Sequence, residues 1–555
     1  MGNTTKPTRS AIAVCAGLLT VAAVLTAPAL QGDDLPPHEQ ILRKLRNTSS
    51  VLPPPMKLAP VHTVRNREAI IPPQCYTRTE GTHNPCYVCH QNHIPDRENI
   101  MNDAHLQVAY SFSDVGLTNH WGNLFEDRRE RVADISDPEI LEWVDTDNYS
   151  ELADRLRKVG FKGWIPDLNG LEEGAAAFDE HGFANDGSHW VAFNYKPFPS
   201  TFWPTNGSTD DVMIRLPETF RTDEAGAYSA DVYRANLAIV EGRVKGLAEI
   251  TSLPVDERAV GVDLDGDGNL GVTGRITQLS AYVGAAAPEF NDSFLYPEGT
   301  EFLHTVRYLG LDANDGITPS RRMKEVRYMK KWTAYRKSVY ARHYQLEGFD
   351  KEQGNLPRYP NLGHYGLDNK NGWSLQSFIE DSAGRLRVAT FEENMFCMGC
   401  HSSVGATIDK TYSFPRKVDG AAGWGYINLK GMPDAPTAGE SDGEILTYFK
   451  RVGGGDEFRS NAEMQNRWFG PDGTLDEAAV RSAADVYTLI TPSKARAMQL
   501  NKAYRTIVAD QDYIYGRDSF VTAPHNVYDK VDNKTAPTLP AGKLFAWDIR
   551  LDWKD

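Results

Sequence analysis

Cys86-Tyr87-Val88-Cys89-His90 and Cys397-Met398-Gly399-Cys400-His401 are two copies of one pattern, Cys-x-x-Cys-His, in a chain of 555 residues. Two thiols three positions apart, followed at once by an imidazole, have the spacing through which haem is attached covalently. Each thiol forms a thioether to one vinyl group, and the histidine meets one face of the iron. A Cys-x-x-Cys pair alone also suits a redox disulfide or tetrahedral zinc, but neither calls for histidine at the next position. Of the six cysteines, Cys15 falls in an apolar leader and four of the other five fall in the two motifs. The pattern therefore assigns Cys86, Cys89, Cys397 and Cys400 to two covalently bound haem c groups, with His90 and His401 as proximal iron ligands.

The N-terminus has the order of charge, apolar core and small residues that marks a Sec-type signal peptide. Lys6 and Arg9 precede an apolar run over residues 11–25, and Ala27-Pro28-Ala29 follows, placing cleavage after Ala29. A lipoprotein reading of Cys15 needs a small residue before it, where Val14 stands. The leader is short for a membrane span and no other stretch approaches the necessary length. The expectation is a periplasmic, secreted or cell-surface protein without stable membrane insertion. The precursor carries a formal charge of −16, and −18 once Lys6 and Arg9 leave. That field disfavours nucleic acid and points to a periplasmic redox partner with a basic docking surface.

In its two attachment motifs the chain resembles the c-type cytochromes, in which bacteria attach haem after export. The resemblance covers the motifs only. It implies electron transfer, in one of two forms. One is a haem-based oxidoreductase, peroxidase- or oxygenase-like, with an electron-transfer haem and an open one. The other is an electron-transfer protein with two six-coordinate haems and a large docking scaffold. The 311 residues between first cysteines are more than di-haem peroxidases have, and no motif here maps their catalytic residues.

With 41% hydrophobic residues, 22 Phe, 24 Tyr and 11 Trp, the chain has the composition of a globular protein. Periodicity and turn residues divide it into a signal peptide (1–29), an N-terminal haem region (30–160), a central α+β region with short strands (161–320) and a mostly helical C-terminal haem region (321–555). An amphipathic stretch lies at 38–46. Helical patterning appears at 104–110, 138–158, 229–247, 321–343, 440–451 and 475–508; strand-like runs appear at 190–195, 301–308 and 386–390. The expected fold class is mixed, multi-domain and predominantly α, with irregular loops around the haems.

The sixth position on each iron decides between electron transfer and chemistry on a bound molecule. For the first haem, His83 and His93 lie close to the attachment turn; Met101, His105 and His120 are nearby, and the last two are far enough along the chain to return to the distal face. For the second, Met432 precedes a proline in a loop, as axial methionines of class I cytochromes do; His364 and His525 are further candidates. Cys75 admits inert burial, pairing with another chain or thiolate ligation. Finally, Asp263, Asp265, Asp267 and Asn269 alternate through a loop with Gly268 in the sixth place, as in EF-hand calcium sites. The twelfth position is Gly274, so the bidentate glutamate must come from elsewhere.

Overall fold

Residues Ile317 to Lys331, most of them assigned to a helix by their basic and aromatic pattern, form instead the longest strand among the described residues. The computed structural model describes residues 71–553 apart from positions 84, 93, 95–101, 109, 111, 200–202 and 454–460. The signal peptide, the stretch 38–46, His93 and Met101 lie outside the described residues.

An antiparallel sheet of seven strands carries the fold: β1 (Val191–Ala192), β2 (Thr209–Arg215), β3 (Glu301–Leu311), β4 (Ile317–Lys331), β5 (Leu367–Asp368), β6 (Trp373–Glu380) and β7 (Leu386–Val388). Their spatial order is β1-β2-β3-β4-β6-β5, with β7 also pairing with β6. The expectation of a predominantly α protein is therefore corrected: the chain is 34% helix and 18% strand, organised on a large sheet. Helix α2 (Lys337–Glu352) starts only after β4 ends.

The reason lies in where the charges go. A helix over 321–343 would set them on a solvated face, whereas β4 is hydrogen-bonded on both edges and buries Arg322, Lys324, Glu325 and Lys331. Arg322 pairs with Glu380 at 3.0 Å. Lys331 places Nζ 2.5 and 2.7 Å from the Asp409 carboxylate oxygens, both side chains being inaccessible to solvent. Paired in this way, ionic side chains are tolerated where isolated ones would not be. Alternation along the strand sends Val326 and Tyr328 to one face and Glu325, Arg327 and Met329 to the other. The first face packs with Leu303 and Phe378 on Tyr149, Leu152 and Leu156. The second joins Phe302, Trp373 and Leu375 to Met395 and Met398, beside the second motif.

Several local signals were legible. Helix α1 (Ala230–Lys245) begins where Ser229 Oγ accepts the Val232 N–H and ends at Gly246 with φ 68°, the left-handed turn that glycine adopts without steric penalty. The segment expected to be a strand at 386–390 is β7, and helix α3 (Phe391–Met395) follows. A capping box opens α3, with Thr390 and Glu393 satisfying each other's backbone N–H groups. The stretch 475–508 is divided into three helices, of which α4 (Lys494–Asp510) is the longest.

Candidate functional site

Both Cys-x-x-Cys-His segments fold into the same turn. In the first, the N–H groups of Cys89 and His90 donate to the Cys86 carbonyl at 3.2 and 3.0 Å; in the second, those of Cys400 and His401 donate to the Cys397 carbonyl at the same two distances. The surrounding 3-10 turns are Pro85–Val88 and Phe396–Gly399. Such a turn brings the first cysteine's carbonyl, the second cysteine and the histidine back toward one another, so that a single ligand can meet thiols and imidazole together.

The two turns, far apart in sequence, meet. Cys75, Cys86, Cys89 and His90 line one side of a cavity whose empty space is about 1630 Å³, part of it open to solvent, and Phe396, Met398 and Cys400 line another. Two backbone links hold the walls together: the Ala406 N–H donates to the Cys89 carbonyl at 2.9 Å, and the Gly405 N–H approaches Asp103 Oδ2 at 3.4 Å.

Each histidine is oriented through Nδ1. His90 Nδ1 lies 2.9 Å from Asp103 Oδ2, while Asp103 Oδ1 accepts the Gln91 N–H at 2.8 Å. Burial works to raise the Asp103 pKa, but the His90 ring, Lys351 and the Gln91 N–H outweigh it and hold the carboxyl below its usual range. His401 Nδ1 lies 2.8 Å from the Lys410 carbonyl, which can only accept. The proton therefore sits on Nδ1 of His401, and the Nε2 lone pair is left for a metal. Burial first, and then the charges of His304 and Arg327, bring His401 down to about 4, so its ring is neutral, the form that ligates metals.

Burial governs the state of the thiols. Cys89, Cys397 and Cys400 are unpaired, so no disulfide closes either motif. Burial pushes the Cys400 thiol up to about 11, and burial with the neighbouring Cys400 pushes Cys89 up as well, so these are thiols rather than thiolates. Among the described residues, no three cysteine or histidine ligand atoms gather as tightly as a metal requires.

The other site candidates are placed variously. His105 is exposed on its short turn, and His120 is half-buried against Trp121, a wall residue, with its rings 4.7 Å from that indole. Burial lowers His120 to about 4. Met432 is buried in the core, where its carbonyl accepts the Val486 N–H, and it does not line the cavity. His364 Nδ1 accepts the Lys162 N–H at 2.8 Å and stacks on Phe161; His525 is exposed, and His83 is half-buried near Gly453.

In the acidic loop, Asp263 and Asp265 are joined by Glu257, six residues upstream of the loop rather than at its twelfth place. Backbone groups already occupy these carboxylates. Glu257 Oε1 accepts the Leu264 N–H at 2.6 Å and Oε2 accepts that of Gly271 at 2.8 Å, while Asp263 takes those of Gly266 and Gly268. Asp267 caps the Asn269 N–H at 2.7 Å and does not join the cluster.

Sequence reasoning did not find Asp103, Arg327 or Arg517. Asp103 lies thirteen residues beyond His90 with no pattern to mark it, Arg327 falls within the stretch expected to be a helix, and Arg517 lies beyond the last expected helix.

The fold and site define an α+β protein in which a large antiparallel sheet supports a two-walled, cysteine-lined cavity. Residues 58–487 match a family described as "-like lipoprotein", and the chain belongs to that family. A relative from Aquifex aeolicus (strain VF5), described as an uncharacterized lipoprotein, is 31% identical over 531 residues, covering 84% of this chain and 89% of the relative. No solved structure matches the chain. These findings overturn the expected membership of the c-type cytochromes. Neither the family nor the relative is described as transferring electrons or catalysing a redox reaction, and both forms of that expectation fall with it. Among the described residues no helix is long and apolar enough to cross a membrane.

Proposed function

We propose that the protein is an exported cell-envelope protein that carries haem covalently, one group on Cys86 and Cys89 with His90 at the iron, and one on Cys397 and Cys400 with His401. The observation that carries this reading is the identity of the two turns at a shared cavity, each with its histidine engaged through Nδ1. The family assignment concerns the ancestry of the chain. The attachment chemistry belongs to six side chains whose geometry suits it.

The covalent step needs no oxidant or reductant. Each S–H adds across a vinyl C=C: a carbon–sulfur bond forms, the π bond is lost and the thiol hydrogen goes to the other vinyl carbon. The hydrogen that this addition moves is the one that burial keeps on Cys89 and Cys400. Bound haem would supply an iron centre; the chain supplies two anchoring sulfurs per group, an imidazole held through its far nitrogen and an apolar wall. The leader over residues 1–29 and the lipoprotein family support export to the cell envelope, where attachment takes place.

Peptide mapping of the protein purified from an envelope fraction tests the reading. Haem mass on both the Cys86–Cys89 and Cys397–Cys400 peptides is expected; bare cysteines on both, in cells that attach haem to a control protein, refute it.

A further inference from the structure

A buried surplus of positive charge lies directly behind the second attachment turn. On β4, Arg327 donates from Nε to Glu325 Oε2 at 2.9 Å. Arg517, in the segment after α4, brings Nη1 within 2.9 Å of the same oxygen and donates from Nη2 to the Glu393 carbonyl at 2.6 Å. One carboxylate thus serves two guanidinium ions, whose side chains are only 19% and 5% exposed. The other nearby carboxylates are committed: Glu393 forms a two-pronged pair with Arg387, and Glu380 is bound by Arg322 and Tyr308. Arg517 Nε is buried with no acceptor.

Leaving a cation partly unpaired in such a place is costly unless an anion completes it. The place itself indicates which anion. The guanidinium carbons of Arg517 and Arg327 lie 4.7 and 6.0 Å from the Phe396 ring centroid, and Phe396 both lines the cavity and immediately precedes Cys397. Arg327 also shares a row across the sheet with His304. An anion held here must therefore belong to whatever the second turn carries. Planar guanidinium groups match carboxylate oxygens in geometry as well as charge.

We infer that Arg327 and Arg517 bind the propionate carboxylates of the porphyrin attached at Cys397 and Cys400. This rests on the haem reading above and deepens it, because it assigns the second group an anion site at two arginines that stand behind Phe396, one of the residues lining the cavity.

The test compares the two sites within one sample. Full-length protein is matured in cells, and the share of Cys397–Cys400 peptide carrying haem is divided by that of Cys86–Cys89 peptide. Arg327→Gln and Arg517→Gln are each expected to lower this ratio about tenfold, the scale of one charge-assisted hydrogen bond. Glu325→Gln, which frees both guanidinium groups, is expected to leave it unchanged. An unchanged ratio in the arginine variants overturns the inference, as does a Glu325→Gln loss as large as theirs, which marks the trio as purely structural. Where the single variants fail to accumulate, the triple replacement Glu325→Met, Arg327→Met and Arg517→Met removes the charges together and leaves no buried ion unpaired; a retained ratio there overturns the inference too. Wild-type protein lacking haem on both peptides refutes the haem reading itself, a distinct result.

Discussion

Asp103→Asn replaces one oxygen by an NH2 group without changing shape, and it reaches the first site through a single hydrogen bond. In the native arrangement the buried carboxylate accepts from His90 Nδ1 at 2.9 Å and from the Gln91 N–H at 2.8 Å. An asparagine that keeps its oxygen on Gln91 turns its NH2 toward Nδ1. The imidazole must then accept at Nδ1 and carry its proton on Nε2, the nitrogen needed for iron. Loss of such a supporting partner typically costs about 10–100-fold in metal affinity, or about 1.4–2.7 kcal/mol. The assay is displacement of the protein histidine by free imidazole, followed in the visible spectrum of each site. The concentration needed at the Cys86–Cys89 site is expected to fall about 10–100-fold. The Cys397–Cys400 site is an internal control, because His401 is held by the Lys410 backbone carbonyl, which no side-chain change removes. Equal displacement curves for variant and wild type refute the reasoning, as do equal shifts at both sites.

Glu241 is fully buried and bonds Lys245 and Lys417 at 2.8 Å each. Glu241→Gln leaves two buried ammonium groups without their shared anion and is expected to lower the unfolding free energy by about 3–5 kcal/mol in urea. Burial pushes the Glu241 pKa up, but the two lysines outweigh it and hold it below the usual value. Its stabilisation is therefore present above the unfolded pKa of about 4.3 and lost as pH falls through the folded one. Lys324 is the opposite case: burial brings it down to about 7, and its Nζ bonds the Gly207 carbonyl and Ser208 Oγ. Between about pH 7 and 10.4 the unfolded chain holds this proton and the folded one does not, so stability rises with pH by at most about 1.4 kcal/mol per unit. Lys324→Met is expected to remove that rise from urea unfolding measured across the window; an unaltered slope counts against it. N-terminal mass analysis is expected to find the mature chain beginning at Leu30, and an acylated Cys15 would contradict cleavage after Ala29.

What the sequence disclosed and what it hid follow from the range of the forces involved. Helix α1 announced itself because its signals are local: a serine cap, a glycine stop and a helical period between them. The attachment turns were equally plain, since five consecutive residues contain all their chemistry. β4 was concealed because its charges find partners across the sheet and beyond it, in Glu380 and Asp409, and nothing within the strand reveals that. The same distance hid Asp103, whose role exists only once the chain returns to His90, and Arg517, which meets Arg327 from 190 residues away along the chain. Likewise, the two motifs gave no sign that they would face one cavity; that proximity arises from the sheet placing α3 and its turn against the N-terminal segment.

The central claim is covalent haem at both turns, and the most direct measurement is the intact mass of the purified, fully denatured protein, with an alkaline pyridine spectrum of the same sample. The account expects a mass raised by two haems over the bare mature chain and an absorption spectrum of thioether-linked haem. A denatured chain at its bare mass, with cysteines that react freely with a thiol reagent, would contradict it.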